Sequence, residues 1–299
     1  MTIRSEAARV AVVIVNYQSY DELHACLRAV AQGCADASTV VVDHESDRGA
    51  ADLLGRAFPD VALIRQTSND GFAVGVNTGV RSPAAAASPY LLLLNPDCVV
   101  EPGACAALAD WMDRHADVAV AGPRIMNANG TVQPSARRFP DLTTAIAGRS
   151  SWLTKVLPRN PISNHNLPAR DAELTTPVNV DWVSGACMMV RRKAFEAVGG
   201  FDEAFFLYWE DADFCRRLQQ AGWRTTYVPA VVATHIGGRS SRHAAHASLE
   251  AFHRSAFRLY RKHAGPGGQL LSPLVFVGLK LRLAYMKRRV GNQFSGSPS

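Results

Sequence analysis

The stretch VAVVIVNYQSYDELHACLRAV (10–30) decides the fold class. Its first six residues form a continuous, mostly β-branched apolar run, as in a strand buried on both faces. A helical pattern follows through Leu23, Leu27 and Val30. The alternation repeats outward from there: Thr39–Val42, a helix around Asp52–Ala57, a short strand at Val61–Ile64, a helix near Val74–Arg81, and Tyr90–Leu94. Apolar strands separated by helices predict an α/β fold with a mostly parallel central sheet flanked by helices. Ligands of such sheets bind beyond the carboxyl ends of the strands. Asn16 and Tyr17, Asp43, Asn69 to Gly71, and Asn95 to Asp97 therefore stand at the positions to inspect.

The chain of 299 residues is 47% hydrophobic and 19% charged, as expected of a folded globular protein that buries a full core. Its six cysteines (26, 34, 98, 105, 187, 215) show no CxxC pair and lie mostly in apolar surroundings. Buried, reduced thiols in a cytoplasmic protein are the expectation. The N-terminal MTIRSEAARV offers no signal-peptide apolar region. Between Pro123 and Val180 seven prolines run through polar sequence, which reads as long loops lining a site. Order returns at WVSGACMMVRRKAF (182–195), a strand leading into a helix that Gly199 and Gly200 end.

The net charge of +6 is unevenly spread: from Arg239 onward eleven basic residues face one acid, Glu250, leaving residues 1–238 at about −4. No stretch approaches a membrane span, because LLSPLVFVGLKLRLAYMKRR (270–289) is broken by Lys280 and Arg282. A basic, apolar-rich segment of this kind suits an interfacial helix on an anionic bilayer. Nucleic acid is the competing anion, but zinc-finger spacing, an RNP-like motif and a helix-turn-helix are all missing, so no nucleic-acid partner is expected.

Five constellations carry chemistry. LLLLNPD (91–97) is an apolar strand ending in Asp97, a carboxylate that either holds a divalent cation gripping a diphosphate or simply completes an Asn-Pro-Asp turn. VVVDHESD (40–47) ends a second strand at Asp43, a candidate acceptor for a base imide or a ribose hydroxyl, with helix capping as the alternative. SNDGFAVGVN (68–77) joins strand to helix through Gly71 and Gly75, where backbone can approach a ligand and the helix N-terminus favours an anion. The first strand lacks the G-x-G-x-x-G that a nicotinamide enzyme would show. His235 in VVATHIGG is either a packed histidine or a metal ligand partnering Asp97. Finally, FFLYWEDADFCRRL (205–218) crowds Glu210, Asp211 and Asp213 among aromatics, where one acid would cap a helix and another could do proton chemistry. Together these features suit transfer of a group from a leaving diphosphate to a hydroxyl.

In this order VVIVNY, VVVDHESD, NDGFAVGVN, LLLLNPD, VSGACMMVRR, GGFDEAFFLYWEDADFCRRL and AGWRTTYVP…TH resemble glycosyltransferase family 2, the inverting transferases of GT-A fold, over about residues 10–240. Within it the chain looks most like bacterial dTDP-L-rhamnose-dependent rhamnosyltransferases; GPRIMNANGTVQPSARRFP (122–140) and PRNP (158–161) resemble those acting on polyprenyl-diphospho-N-acetylglucosamine.

The resemblance implies a GT-A domain over 8–240 and a basic helical extension over 241–299. It places Asn16, Asp43, Asn69, Gly71, Asn77, Asn95 and Asp97 at the nucleotide sugar, and Asp97 and His235 at a divalent cation, Mg2+ or Mn2+. Trp182, Ser184, Gly185, Ala186 and Glu210 fall at the acceptor, with Asp211 as general base and Glu210 supporting it. The family's Asp-Asn pair reads Asp43-His44 here, and its first metal-motif acid reads Asn95. The expected acceptor is a lipid-linked or cell-envelope glycan at the inner face of the plasma membrane, reached by a peripheral enzyme. The oligomeric state is open, a homodimer included. The rivals are a donor carrying galactofuranose, glucose or N-acetylglucosamine, and a nucleotide-sugar binding protein without catalysis.

Overall fold

The computed structural model describes residues 8–140, 174–237 and 245–294. The run that opens the chain is β1 (Val10–Tyr17), followed by α1 (Tyr20–Gly33), β2 (Ser38–His44), α2 (Arg48–Ala57), β3 (Val61–Arg65), α3 (Phe72–Val80) and β4 (Tyr90–Leu94). Then come β5 (Cys98–Val100), α4 (Ala104–Asp113), β6 (Val118–Asn127), β7 (Val132–Gln133) and β8 (Ala136–Arg137). After the proline-rich excursion come β9 (Val178–Val180), β10 (Trp182–Val183), β11 (Cys187–Arg191), α5 (Arg192–Ala197), α6 (Glu210–Gln220) and β12 (Arg224–His235). Three helices close the chain: α7 (Ala245–His263), α8 (Pro266–Leu270) and α9 (Ser272–Phe294). The PRNP segment, His165 and His243 lie outside the described residues.

The reason β1 is apolar throughout is visible in its neighbours. Val10, Val12 and Ile14 pack into a core with Leu23, Leu27 and Val30 of α1 and Leu108 of α4. Ala11, Val13 and Val15 face the opposite core, with Ala73, Val76 and Val80 of α3. Burying each aliphatic side chain contributes roughly 1.5–3 kcal/mol. α3 lies so close to β1 that a Cβ at Gly75 or Gly79 would come within 2.6 or 2.5 Å of Val15 or Val13, which is why a helix rich in glycine is stable here.

The main sheet runs β3–β2–β1–β4–β11–β6–β12–β5, with β7 on β6 and β9 on β12. Its first four strands are parallel, as the sequence predicts. The second half is mixed, because β11 follows a long excursion and enters from the edge where β4 ends, pairing Cys187 with Leu94 and running antiparallel to it. One edge therefore collects the ends of β1, β2 and β4, the start of β11 and the end of β12.

Two expectations need correction. Cys34, at the end of α1, and Cys105, in the first turn of α4, form a disulfide across 5.2 Å between Cα atoms, so only Cys26, Cys98, Cys187 and Cys215 are free, buried thiols. A pairing 71 residues apart leaves no local spacing to read, and the cysteines no longer argue for a reducing compartment. Second, no acid caps α6: the helix starts at Glu210, and the preceding Trp209 is left-handed at φ 69°. The C-terminal extension is helical as expected, yet its contacts cross residue 240. Leu259 of α7 joins the core of Phe205 and Phe214, and Ser255 bonds the Leu207 carbonyl.

Candidate active site

At the β1 and β2 ends, Asp43 is fully buried. Its Oδ1 accepts from Asn16 Nδ2 at 2.7 Å, and its Oδ2 accepts from the hydroxyls of Tyr20 (2.8 Å) and Ser46 (2.6 Å). The carboxylate thus orients two hydroxyls that the sequence did not single out. The cap of α2 is Asp47, which accepts from Ala50 N–H, so capping does not explain Asp43. His44 points to the other face of β2. There its Nδ1 meets the Ser68 carbonyl at 3.0 Å and its Nε2 lies against Gly75, so the Asp-His departure from the family pair is a packing substitution under α3.

The glycine-rich turn serves the protein's own backbone. Gly71 sits at φ 95°, and a Cβ there would lie 2.4 Å from the Phe206 carbonyl oxygen. The Gly71 and Phe72 amides are taken by Asn69 Oδ1 (3.1 Å) and the Phe206 carbonyl (2.8 Å), so these two N–H groups are committed within the protein. Asn77, placed by sequence at the nucleotide sugar, instead holds the 201–203 turn: its amide donates to the Phe201 carbonyl and Glu203, both at 2.9 Å, and its Oδ1 accepts from Phe201 N–H. Both of its N–H bonds are used, which leaves it a packing role.

At the β4 end, Asn95 is half-buried and its backbone N–H donates to the Ala186 carbonyl at 2.9 Å. Asp97 is buried, with Oδ1 3.1 Å from His235 Nε2. The other ring nitrogen of His235 donates to Gln133 Oε1 at 2.9 Å. That pairing turns the Nε2 lone pair toward a carboxylate oxygen, a contact satisfied by a cation or a proton between them. A carboxylate and an oriented imidazole are a donor set that fits a divalent cation. Cys98 stands within 4.8 Å of both, but burial pushes its thiol well up, which keeps it a poor partner for a hard ion. Gln133, a residue the sequence reading missed, comes from the small strand β7.

The third group forms where α6 meets β10–β11. Asp211 Oδ2 accepts from Gly185 N–H at 2.9 Å and its Oδ1 from Ala212 N–H at 2.8 Å. Burial raises its pKa, partly offset by those two amides and by the charge of Arg137. Glu210 is buried, its Oε2 has no hydrogen-bond partner, and burial plus the neighbouring Asp211 charge push its pKa well up. The pair is therefore asymmetric: Asp211 accepts from the Gly185 and Ala212 amides, which favour its ionised form, whereas burial and the Asp211 charge hold the Glu210 carboxyl well above the usual range despite a bond from its own backbone N–H.

Ser184 N–H donates to the Ser135 carbonyl, its Oγ lies 3.3 Å from Ala186 N–H, and the 184–186 turn joins Asp211 to Asn95. Trp182 donates to the Arg138 carbonyl, with the Arg137 guanidinium 5.4 Å above its ring and Trp209 at 5.9 Å. Among the described residues, the non-glycine residues at positive φ are Gln18, Glu45, Tyr208 and Trp209, all in loops at these element ends. Left-handed backbone costs a bulky residue roughly 1–2 kcal/mol and concentrates at functional sites.

Asp213, the third acid, faces away from this group. Arg217 (2.8 Å), Lys262 (2.9 Å) and His263 (2.7 Å) surround it.

Comparison with known proteins bears on the family and the fold. The sequence profile described as "glycosyltransferase like family 2" matches residues 7–261. The N-acetylglucosaminyl-diphospho-decaprenol L-rhamnosyltransferase of Mycobacterium tuberculosis is 33% identical over 237 residues, covering 76% of each chain. Rhamnosyltransferase WbbL of Escherichia coli is 31% identical over 176 residues, covering 58% of this chain and 59% of its own. Among solved structures, GalNAc-T7 with UDP, GalNAc and Mn2+ superposes at TM-score 0.59 and 16% identity over 77% of this chain and 43% of that one. The mannosyltransferase PcManGT from Pyrobaculum calidifontis, with GDP-Man and Mn2+, superposes at 0.57 and 16% identity over 97% and 79%. The expected GT-A fold therefore holds, and on the extent of the profile match and of the mycobacterial relative the chain belongs to the family 2 glycosyltransferases.

Proposed function

We propose that this enzyme transfers L-rhamnose from dTDP-L-rhamnose to a hydroxyl of a polyprenyl-diphospho-N-acetylglucosamine acceptor, with inversion at the anomeric carbon. The observation that carries the chemistry is the asymmetric carboxylate pair: Asp211, oriented by the Gly185 and Ala212 amides, beside Glu210, whose buried Oε2 has no hydrogen-bond partner. Asp211 takes the proton of the acceptor hydroxyl as its oxygen bonds to the sugar C1 and the C1–diphosphate bond breaks. Its raised pKa makes it a stronger base than an exposed aspartate.

Asp97 and His235 would hold the divalent cation, Mg2+ or Mn2+, with Asn95 beside them; when bound, it supplies charge neutralisation for the departing diphosphate. Asn16, Asp43 and Asn69 form the nucleotide end with Tyr20 and Ser46. Trp182, Ser184, Gly185 and Ala186 form the acceptor floor, with the Trp209 ring beside that of Trp182. The donor and acceptor assignments are supported by the rhamnosyltransferase relatives. We place the enzyme peripherally on the inner face of the plasma membrane, its C-terminal helices against anionic lipid.

The test joins binding to turnover. With Mg2+ or Mn2+ present, Asp211→Asn keeps the thermal stabilisation that dTDP-L-rhamnose gives the native enzyme, while transfer falls by a factor of about 10³ or more. Transfer retained in that variant removes Asp211 as base. Equal stabilisation by UDP-sugars removes the donor assignment.

A further inference from the structure

The turn that delivers Asp211 does not hold itself. Tyr208 and Trp209 stand at φ 68° and 69°, two consecutive bulky residues in left-handed backbone immediately before Glu210. Such a conformation persists only where the surroundings over-determine it, and α7 supplies a row of contacts to it and to the residues just before it. The Phe252 ring meets Tyr208 edge-on at 5.8 Å and Trp209 at 5.3 Å. The buried Ser255 Oγ donates to the Leu207 carbonyl at 2.9 Å. Arg254 lies 5.9 Å over the Phe206 ring, and Arg258 lies 5.2 Å over that of Phe205. One turn further along α6, the Asp213 amide donates to the Trp209 carbonyl, while the Asp213 carboxylate is gripped by Lys262 and His263 at the end of α7. The loop before the carboxylate pair is thus fastened at successive residues by one helix lying outside the main sheet.

We infer that α7 is a brace for the catalytic turn and that Phe252 and Ser255 are positioning residues for transfer: they act through Tyr208 and Trp209 to keep Asp211 on the Gly185 amide. The inference rests on Asp211 being the base. If the turn relaxes toward right-handed backbone, the first turn of α6 rotates and the carboxylate leaves Gly185 N–H. Donor groups at the β1, β2 and β4 ends are held by other elements and are untouched. The brace therefore acts on the rate of transfer and on the geometry of one hydrogen bond, with little effect on donor binding.

Two readouts test it in the 299-residue chain. Amide hydrogen exchange measured by mass spectrometry follows peptides spanning 183–187 and 206–214. Ser255→Ala and Phe252→Ala are expected to speed exchange of the Gly185 amide at least tenfold, with exchange in β1, β4 and β11 unchanged. In transfer assays with dTDP-L-rhamnose and a polyprenyl-diphospho-N-acetylglucosamine acceptor, kcat should fall 10- to 100-fold while the donor KM stays within about threefold. Ser255→Thr and Phe252→Tyr, which keep the hydroxyl and the ring, should recover most of the rate. A Gly185 amide that exchanges as in the native protein in both alanine variants overturns the brace, as does a loss confined to melting temperature or donor KM. Asp211→Asn, run alongside, separates the two ideas. If it is inactive while Phe252→Ala and Ser255→Ala transfer normally, the brace falls and the base stands. If it is active, the base falls and the brace with it.

Discussion

Three neighbouring acids in one helical turn have three fates, set by what each finds around it. Glu210 keeps one carboxylate oxygen without a partner, Asp211 finds two backbone amides at the edge of burial, and Asp213 finds three cationic side chains. Burial alone would push the Asp213 carboxyl up, but hydrogen bonds from His263, Lys262 and Arg217 outweigh it and bring the pKa down to about 2 from an ordinary 3.8. A pKa lowered on folding stabilises the protein above the unfolded value, and this stabilisation is lost as pH falls from about 4 through about 2. Asp213→Asn is therefore expected to lower stability at pH 7 by about 2 kcal/mol. The gap to the native protein should narrow in urea titrations carried from pH 4 toward pH 2.5. A gap independent of pH in that window would assign the loss to packing instead.

At the scale of elements, the 205–209 loop is pressed between the start of α3 and the side of α7, and Gly71 is where the fit is tightest. Gly71→Ala meets both a left-handed φ of 95° and the Phe206 carbonyl, so it is expected to destabilise by roughly 2–4 kcal/mol. A chemical denaturation curve within about 0.5 kcal/mol of native would show that the loop can move aside.

This is also the scale at which sequence was most and least legible. Burial on both faces writes a continuous apolar run, so β1, β2 and β4 were plain, and strand-end chemistry led directly to Asp43, Asp97 and His235. An Asn in a helix is ambiguous by itself, and Asn77 was assigned to the ligand when it pins the 201–203 turn. Gln133, Arg137 and Tyr20 reach the site only through tertiary packing, from short strands and a helix face with no pattern of their own. The brace escaped for the same reason, since the tail reads as a basic extension until Phe252 is seen against Trp209.

On the scale of the whole molecule, charge and apolar surface are segregated together. No described helix is long and apolar enough to cross a membrane. Even so, Leu270 at the end of α8 is 82% exposed, and Leu274 and Leu281, 70% and 67% exposed, form with Val277 and Tyr285 a stripe along α9. Lys280, Lys287, Arg288 and Arg289 flank it, and the segment from Arg239 onward carries +10. Phe276 packs on Phe257 of α7, and Lys287 pairs with Glu250, so the stripe is the outer side of a helix already docked on the body. Leu274→Glu with Leu281→Glu is expected to abolish cosedimentation with phosphatidylglycerol vesicles while leaving the melting temperature unchanged. The native enzyme should bind those vesicles in a salt-sensitive manner and ignore neutral phosphatidylcholine. No binding by the native chain would remove lipid as the partner of this surface.

The parallel strands β1, β2, β3 and β4 begin at one rim of the sheet and spend their chemistry at the other. The turns that start them, such as the exposed Pro59–Asp60 ahead of β3, carry none of the site residues. That rim is a ready handle: a protein fixed to a sensor chip or labelled with a dye through Asp60 presents its whole reaction edge to the solution, free for donor and acceptor alike.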